Sequence, residues 1–267
     1  MANANVLDLK GSVKGTVEMP STFDETVRED LIRRAVIAEN SLKLQPQGHF
    51  ILAGMNTTAR YYGTMNSYRS GRHMGIAIRP RQKLGGGRQG DVRRIPSAVK
   101  GKRAHPHKIE KTLIERINRK EYQKAIRSSI AATAKPEYVT RKHTLETKTL
   151  PLVLSDDIES VKKTKELVKI LETLRLAKDL EASKDPHIRK GLRRLAQRKH
   201  YRKSLLIVVG SDKGVVKAAR NIPGVDACTA SSIKANLLAP GGVPGRVTLW
   251  SESAIKNLNK EVEKLSI

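Results

Sequence analysis

The sequence predicts an α/β protein of three layers, α/β/α, in which helices cover both faces of a parallel four-stranded sheet and a long basic loop is added. Two observations predict the sheet: four short apolar runs lack alternation with polar residues, and helical patterns separate them. A third observation predicts the loop, because regular apolar periodicity is lost over residues 45–108. We therefore expect residues 1–267 to form one globular α/β domain, with residues 45–108 inserted in it as an extended loop.

The N-terminal part carries signals for a short hairpin and then a helix. Residues 6–9 and 13–17 are two apolar runs at hairpin separation. Thr22 and Glu25 have the spacing of a capping box, and apolar residues then recur every three or four positions up to Pro46. The residues on that predicted helix face are Val27, Leu31, Ala35, Ala38 and Leu42.

The predicted loop has an unusual composition. Residues 69–108 hold twelve Lys or Arg, one acid (Asp91), seven Gly and no aromatic residue. Such a segment has too little apolar surface to offset the ordering entropy of its backbone, so we expect it to fold only against a polyanion. Met74, Ile76 and Ile78 alternate with other residues, which favours a two-stranded ribbon in this part of the loop.

The second half of the chain contains the four predicted strands. A helix precedes them, with a capping-box spacing at Asn118 and Glu121 and an end before Pro136. A second basic run, residues 187–203, has eight Lys or Arg and no acid, and we expect it to make a second contact with nucleic acid rather than to be only a solvated connection. The predicted strands are residues 150–154, 204–210, 224–228 and 246–250.

The charge balance indicates an anionic partner. The chain has 52 Lys and Arg against 26 Asp and Glu, a net charge of +26. No apolar run approaches the ~18 residues of a membrane-spanning helix, the N-terminus lacks the pattern of a signal peptide, and the single Cys228 fits a reducing compartment. Nucleic acid in the cytoplasm is therefore the expected partner, and an aromatic content of 3% favours phosphate contacts over base stacking.

Patterns that resemble catalytic or cofactor motifs are weak. Gly85, Gly87 and Gly90 match G-x-G-x-x-G, but no strand precedes them and no helix follows, so we expect these glycines to let the backbone approach a phosphate chain. Residues 210–214 follow a strand and open a helix without the full fingerprint, and an ordinary turn is expected there.

The histidines of the loop do not form a convincing metal site. His73, His105 and His107 have no thiol nearby and only one acid, whereas zinc needs about four ligands. We expect these rings to bond phosphate or ribose. The sequence thus predicts no catalytic residue, no metal site and no cofactor.

Several stretches lie in order along almost the whole chain: RSGRHMGIAIRPR, GGGR, RRIPSAVKGKRAHPHK, INRKEYQKAIRSSIAATA, RNIPGVD, LLAPGG and GRVTLW. Together they resemble the large-subunit ribosomal protein four family in its archaeal form. The resemblance implies the three-layer fold and a structural role in the large ribosomal subunit, bound to its RNA and neighbouring proteins. It also implies that the loop tip, residues 72–81, reaches the wall of the exit tunnel near the nascent peptide, and that RNA holds residues 88–107.

The residues expected to bind RNA are cations and histidines of the two basic segments, since Arg forms forked hydrogen bonds with phosphate and Lys supplies a point charge. Two other functions remain open: an RNA-modifying enzyme with a cofactor at residues 210–214, and a DNA-packaging protein that uses the same loop charge. The expected RNA-binding residues are Arg69, Arg72, Arg79, Arg81, Lys83, Arg88, Arg93, Arg94, Lys100, Lys102, Arg103, His105, His107, Arg193, Arg194, Arg198 and Lys199.

Overall fold

The structure, a computed structural model, describes residues 3–61, 75–144, 149–188 and 199–265. Its chain divides into two compact units. The first unit is formed by Met1–Lys43 together with Ile114–Ile267, and the second unit is Leu44–Leu113.

Helices and strands alternate along most of the described chain. In chain order they are β1 (Asn3–Leu7), β2 (Val13–Glu18), α1 (Glu29–Ser41), β3 (Arg81–Lys83), β4 (Gln89–Val92), α2 (Arg119–Ala134), α3 (Pro136–Val139), β5 (Leu152–Leu154), α4 (Thr164–Thr173), α5 (Ala177–Lys184), β6 (His187–Ile188), β7 (Lys199–His200), β8 (Leu206–Val209), α6 (Val215–Ala219), β9 (Asp226–Thr229), α7 (Ala235–Leu238), β10 (Thr248–Ser251) and α8 (Glu252–Lys264).

The first unit is built on a six-stranded sheet with the order β2-β1-β5-β10-β8-β9. Strands β1, β5, β10, β8 and β9 are parallel, and β2 is an antiparallel edge strand paired with β1. The predicted α/β class is confirmed, but the predicted count of four strands is wrong. The predicted hairpin is present as β1 and β2, and it joins the sheet because Val6 of β1 pairs with Val153 of β5.

Helices cover both faces of this sheet, as the absence of alternation in the strands predicted. On β8, Leu206 and Val208 pack into a core with α1, α2, α7 and α8. Ile207 and Val209 of the same strand pack into a second core with α4, α5 and α6. Each of these four side chains is fully buried, and such burial stabilises the fold by roughly 1.5–3 kcal/mol per side chain.

Two predicted helix starts have different outcomes. Helix α2 begins after Asn118 and ends before Pro136, as its capping-box spacing and proline predicted. Helix α1 begins at Glu29, so the start predicted from Thr22 and Glu25 is wrong. The physical reason is tertiary: the backbone N–H of Arg28, the N-cap residue of α1, donates to Ser128 Oγ of α2 over 2.6 Å.

The buried face of α1 agrees in part with the predicted one. Ala35 and Ala38 are buried as predicted, whereas Leu42, also predicted to face the core, is 49% exposed. Glu39 is buried because it accepts hydrogen bonds from Tyr122 Oη (2.7 Å) and from the first backbone N–H of α7 (2.7 Å). A charged residue therefore occupies a core position that an apolar pattern does not reveal.

The second unit contains a short antiparallel ribbon of β3 and β4. Its turn is the segment Gly85–Gly87, in which Gly86 has a φ of 70°, a value that glycine adopts without steric cost. Arg60 extends the ribbon through two backbone hydrogen bonds with Arg81, of 3.2 and 3.3 Å. The ribbon predicted around Ile76 and Ile78 is wrong for those two residues, which lie exposed in bends.

Close backbone contacts hold the second unit together where apolar side chains are few. Gly54 has a φ of 76°, and a Cβ atom there would overlap the backbone of Gly101. His49 Nδ1 lies 2.9 Å from the carbonyl oxygen of His107 and so joins two distant parts of this unit. Among the described residues of either unit, no helix is long and apolar enough to cross a membrane.

Candidate nucleic-acid interface

The second unit exposes a set of cations that its own structure does not use. Within the part of the chain that the structure describes, six of the predicted RNA-binding side chains are exposed and make no hydrogen bond or ion pair. Unpaired cations on an exposed surface are available to phosphate groups at little desolvation cost. These six are Arg79, Lys83, Arg88, Lys100, Lys102 and Arg103.

Three other predicted RNA-binding arginines contact the backbone of the second unit. Arg93 Nη1 donates to the carbonyl of Val99 (2.7 Å), and its Nη2 lies 3.2 Å from the carboxylate of Asp91. Arg81 Nη2 donates to the carbonyl of Ala77 (3.3 Å), and Arg94 Nη1 donates to a second carbonyl, at 3.5 Å. These guanidinium groups therefore shape the surface that carries the free cations.

The remaining predicted residues are placed as follows. The imidazoles of His105 and His107 are exposed, as is Lys199 in β7. Five predicted residues lie outside the described part of the chain, and so do Met74 of the predicted ribbon and the beginning of the predicted tip. The five are Arg69, Arg72, Arg193, Arg194 and Arg198.

The second basic run is anchored to the first unit at its C-terminal end. Strands β6 and β7 pair, with His187 opposite His200. Arg202 then donates to the carbonyl of Lys142 and pairs with Asp179 (3.3 Å), and Lys203 pairs with Asp226 (2.9 Å). Of the three cations of this run that the structure describes, two thus form ion pairs within the first unit.

Sequence reasoning missed a set of exposed apolar side chains in the second unit. Phe50 is 63% exposed and Ile51 is 80% exposed, although both are large hydrophobic residues. Val99 and Ile109 are also largely exposed in this unit. The signal was present as a short apolar run between Gly48 and Gly54, and exposed apolar side chains of this kind are typical of a surface that a partner covers.

The turn at residues 210–214 bears on the enzyme alternative. The chain leaves β8 and β10 toward opposite faces of the sheet, because α6 packs on one core and α8 on the other. A crevice at the carboxyl ends of two such parallel strands is where open α/β sheets bind their ligands. Residues 210–214 lie at this point, which is the position a cofactor would need.

A carboxylate of the chain itself occupies that crevice. Glu159 is 1% exposed, and its Oε1 accepts from the backbone N–H of Gly210 (2.9 Å) and of Ser211 (3.2 Å). The hydroxyls of Ser211 and Ser253 donate to the same carboxylate at 2.7 and 2.8 Å. Burial opposes the ionisation of Glu159, but these hydrogen bonds outweigh it and lower its pKa to about 2. The donors that would hold a phosphate are therefore used internally.

Other groups in the described chain show no arrangement for metal or thiol chemistry. No three His, Cys, Asp or Glu side chains among the described residues are grouped so that they could hold a metal ion. Burial raises the pKa of the Cys228 thiol to about 12, so this side chain stays protonated and behaves as a small apolar residue.

The fold and the charge distribution define a class: a basic three-layer α/β protein with a separate unit that exposes unpaired cations. The sequence matches the model of the Ribosomal protein L4/L1 family over residues 17–261. The chain belongs to this family, and the family predicted from the sequence motifs is confirmed. Because the family is structural and non-enzymatic, the prediction that the chain is not an enzyme is also confirmed.

Curated relatives match over nearly their full length. "Large ribosomal subunit protein uL4" of Methanococcus maripaludis is 44% identical over 261 residues, which cover 96% of this chain and 98% of the relative. The protein of the same description from Archaeoglobus fulgidus is 42% identical over 260 residues, covering 96% and 98%. The one from Methanocaldococcus jannaschii is 40% identical over 263 residues, covering 97% and 99%. All three organisms are archaea, as the predicted archaeal form requires.

Proposed function

We propose that the chain is a structural constituent of the large ribosomal subunit in the cytoplasm and that it binds large-subunit RNA through the second unit. The observation that carries this proposal is the set of six exposed cations without partners in the described part of that unit. Its relatives are named as proteins of the large ribosomal subunit, which supports the choice of RNA.

Contact with phosphate explains why so many like charges lie on one unit. RNA segments that converge in a folded subunit repel one another, and cations placed between them neutralise that repulsion. Arg79, Arg88 and Arg103 provide forked hydrogen bonds to phosphate oxygens, and the lysines provide point charges. Because A-form RNA hides its major groove, the recognition is mainly of backbone and shape.

The exposed apolar side chains add a second kind of contact. Phe50 and Ile51 lie in the same unit as the free cations and are largely exposed. Unstacked bases and ribose edges are the apolar surfaces that folded RNA offers, and one aromatic ring stacks on any base. These two residues therefore contact bases or sugars while the cations contact phosphates.

The finer part of the proposal concerns the loop and its tip. Residues 45–108 form an extended RNA-binding loop inserted in a globular α/β domain, and residues 72–81 lie at the wall of the exit tunnel, near the nascent peptide. The support is the resemblance of RSGRHMGIAIRPR to the family's loop, together with the exposure of Ile76, Ile78 and Arg79 in the described part of that segment. Neighbouring large-subunit proteins are further partners.

Sedimentation with crosslinking tests the proposal. The chain should sediment with purified large subunits and dissociate only at high salt, and ultraviolet crosslinks from residues 75–113 should map to large-subunit RNA. Crosslinks to duplex DNA would support a DNA-packaging protein instead. Sedimentation only as free protein would contradict the ribosomal role.

A further inference from the structure

The open edge of the sheet in the first unit borders a cleft. β9 is the last strand of the sheet, and only β8 pairs with it among the described strands. The cleft beside it has a volume of about 660 Å³. Its lining comes from β9 itself, from α6, α7 and α2, and from the C-terminal end of α1 with the residues that follow it.

One residue of β9 directs its backbone N–H and carbonyl toward this cleft. The N–H of Asp226 donates to the carbonyl of Leu205 (3.0 Å), so the backbone N–H and carbonyl of Asp226 point toward the neighbouring strand β8. Alternation along a parallel ladder then directs the N–H and the carbonyl of Ala227 outward. Thr229 also faces outward, but Ser232 Oγ bonds both its N–H (3.2 Å) and its carbonyl (3.1 Å). Ala227 therefore presents a donor and an acceptor at the open edge.

The walls of the cleft combine apolar surface with positive charge. Leu42, Val216 and Leu237 provide the apolar surface, and Leu42 is 49% exposed. Lys43 and Lys234 provide two cations, and the ammonium group of Lys43 bonds only the side chain of Asn40 (3.1 Å) in the described chain.

Two carboxylates also line the cleft, and both accept hydrogen bonds from the main chain. Glu39 accepts from the backbone N–H groups of Ala235 and Asn236 at 2.7 and 2.9 Å. Asp212 accepts from the backbone N–H of Gly214 at 2.8 Å. Neither carboxylate forms an ion pair with Lys43 or Lys234 in the described chain, so the two ammonium groups can pair with an acidic ligand.

We propose that this cleft binds an extended peptide strand of a neighbouring protein, which pairs with Ala227 through two main-chain hydrogen bonds. Addition of a strand to an open sheet edge is a common mode of peptide recognition, with side-chain pockets providing specificity. The strand places an acidic side chain between Lys43 and Lys234 and an apolar side chain against Leu42 and Leu237. An RNA strand fits less well, because its phosphates would lie against apolar walls. The inference rests on the proposed function, since the ribosome supplies the neighbour.

A photocrosslink from inside the assembled particle tests this inference. Leu42 is replaced by a photoreactive phenylalanine analogue, large subunits are purified, and the crosslinked peptides are identified by mass spectrometry. We expect a crosslink to one extended segment of another ribosomal protein that contains an acidic residue. A crosslink to RNA alone, or no crosslink, would overturn the inference.

Two variants of one residue decide whether the main chain of β9 pairs with that segment. Ala227→Pro removes an N–H that makes no hydrogen bond within the sheet, and edge strands tolerate proline at such positions. The variant should lower the crosslink yield about fivefold to tenfold. Ala227→Ser keeps the N–H and should leave the yield unchanged. Equal yields for the two variants would contradict the pairing.

A charge-reversal variant covers the case in which Ala227→Pro does not fold. Lys43→Glu combined with Lys234→Glu leaves the backbone intact and should abolish the same crosslink, while circular dichroism shows an unchanged melting curve. If the crosslink persists in this variant, the inference is wrong. Failure of the proposed function is distinguishable, because the unsubstituted chain would then be absent from purified large subunits altogether.

Discussion

Buried charged residues bind backbone groups at several points where strands of the first unit end. Arg246 is 1% exposed, and its guanidinium donates to the carbonyls of Ser204, Leu205 and Gly224 at 2.9, 2.9 and 3.0 Å. It also pairs with Asp226 at 2.7 Å. Glu159 plays the corresponding role for backbone N–H groups. Such groups fix the positions of strand ends because leaving any one of them unpaired in the interior is costly.

Glu159→Gln should destabilise the protein by about 1–3 kcal/mol, since a neutral amide accepts weaker hydrogen bonds than a carboxylate. The pKa of Glu159 in the folded protein, about 2, lies below its ordinary value of 4.5, so its contribution is complete above pH 4.5 and is lost as pH falls toward 2. Chemical denaturation at pH 7 and pH 2.5 measures both effects. The difference between the variant and the unsubstituted protein should be much smaller at pH 2.5 than at pH 7; an equal difference at both pH values would contradict this role.

Arg246→Met should destabilise the first unit by roughly 3–5 kcal/mol, because it leaves Asp226 and several carbonyls without their buried partner. Lys203→Met is the matched control, since Lys203 pairs with the same carboxylate from an exposed position. The control should cost at most about 1 kcal/mol. Urea denaturation followed by circular dichroism compares the two variants, and similar losses would show that burial of the pair is unimportant.

At the scale of elements, the ribbon of β3 and β4 and the residue that follows it carry cations with and without internal partners. Its turn at Gly85–Gly87 separates two exposed cations, Lys83 and Arg88, which have no partners in the described chain. The residue after β4, Arg93, is only 17% exposed in its side chain and bonds the backbone of Val99. Neighbouring cations of the second unit therefore differ in whether they have an internal partner.

Arg88→Ala and Arg93→Ala should separate these roles. Arg88→Ala should weaken RNA binding without changing the protection of backbone amides from hydrogen exchange, because the side chain has no internal partner. Arg93→Ala should increase amide exchange in residues 95–101, because it removes the hydrogen bond to Val99 and the contact with Asp91. The two measurements are hydrogen exchange of the free protein and RNA binding by filter retention. Identical exchange in both variants would contradict the internal role of Arg93.

At the scale of the whole molecule, the net charge of +26 makes RNA binding sensitive to salt. If the two basic segments neutralise roughly ten phosphates, log affinity should fall with log salt at a slope of around −7 to −9. Replacing Lys83, Arg88, Lys102 and Arg103 by Ala should reduce the magnitude of that slope by about 3. Titrations with a large-subunit RNA fragment at several salt concentrations give the slope.

The matched control for this prediction is a set of exposed lysines on the first unit. Lys256→Ala combined with Lys260→Ala removes two charges from the exposed side of α8 and should leave the slope unchanged. An equal fall in slope per charge removed, for both sets of variants, would indicate that binding depends on total charge and not on the second unit.

The sequence by itself determined the α/β class, most of the strands, helix α2, the basic segments and the family. These features depend on local composition and periodicity: the apolar strand of β8 and the face of Tyr122, Ala125, Ile126 and Ile130 in α2 are buried as their spacing predicts. The exposure of charged side chains such as Lys83 and Arg103 also follows from their charge, since charged groups remain in water unless they are paired.

Only the tertiary structure decided which polar and charged groups have partners within the protein. Arg93 and Arg88 are alike in sequence, but only Arg93 meets a carbonyl of its own unit. The start of α1 depends on Ser128, which is distant in sequence, and the crevice at residues 210–214 is closed because Glu159 reaches it from the segment after β5. Each outcome depends on a hydrogen bond between residues far apart in the chain, and local pattern carries no information about which distant donor or acceptor will be near.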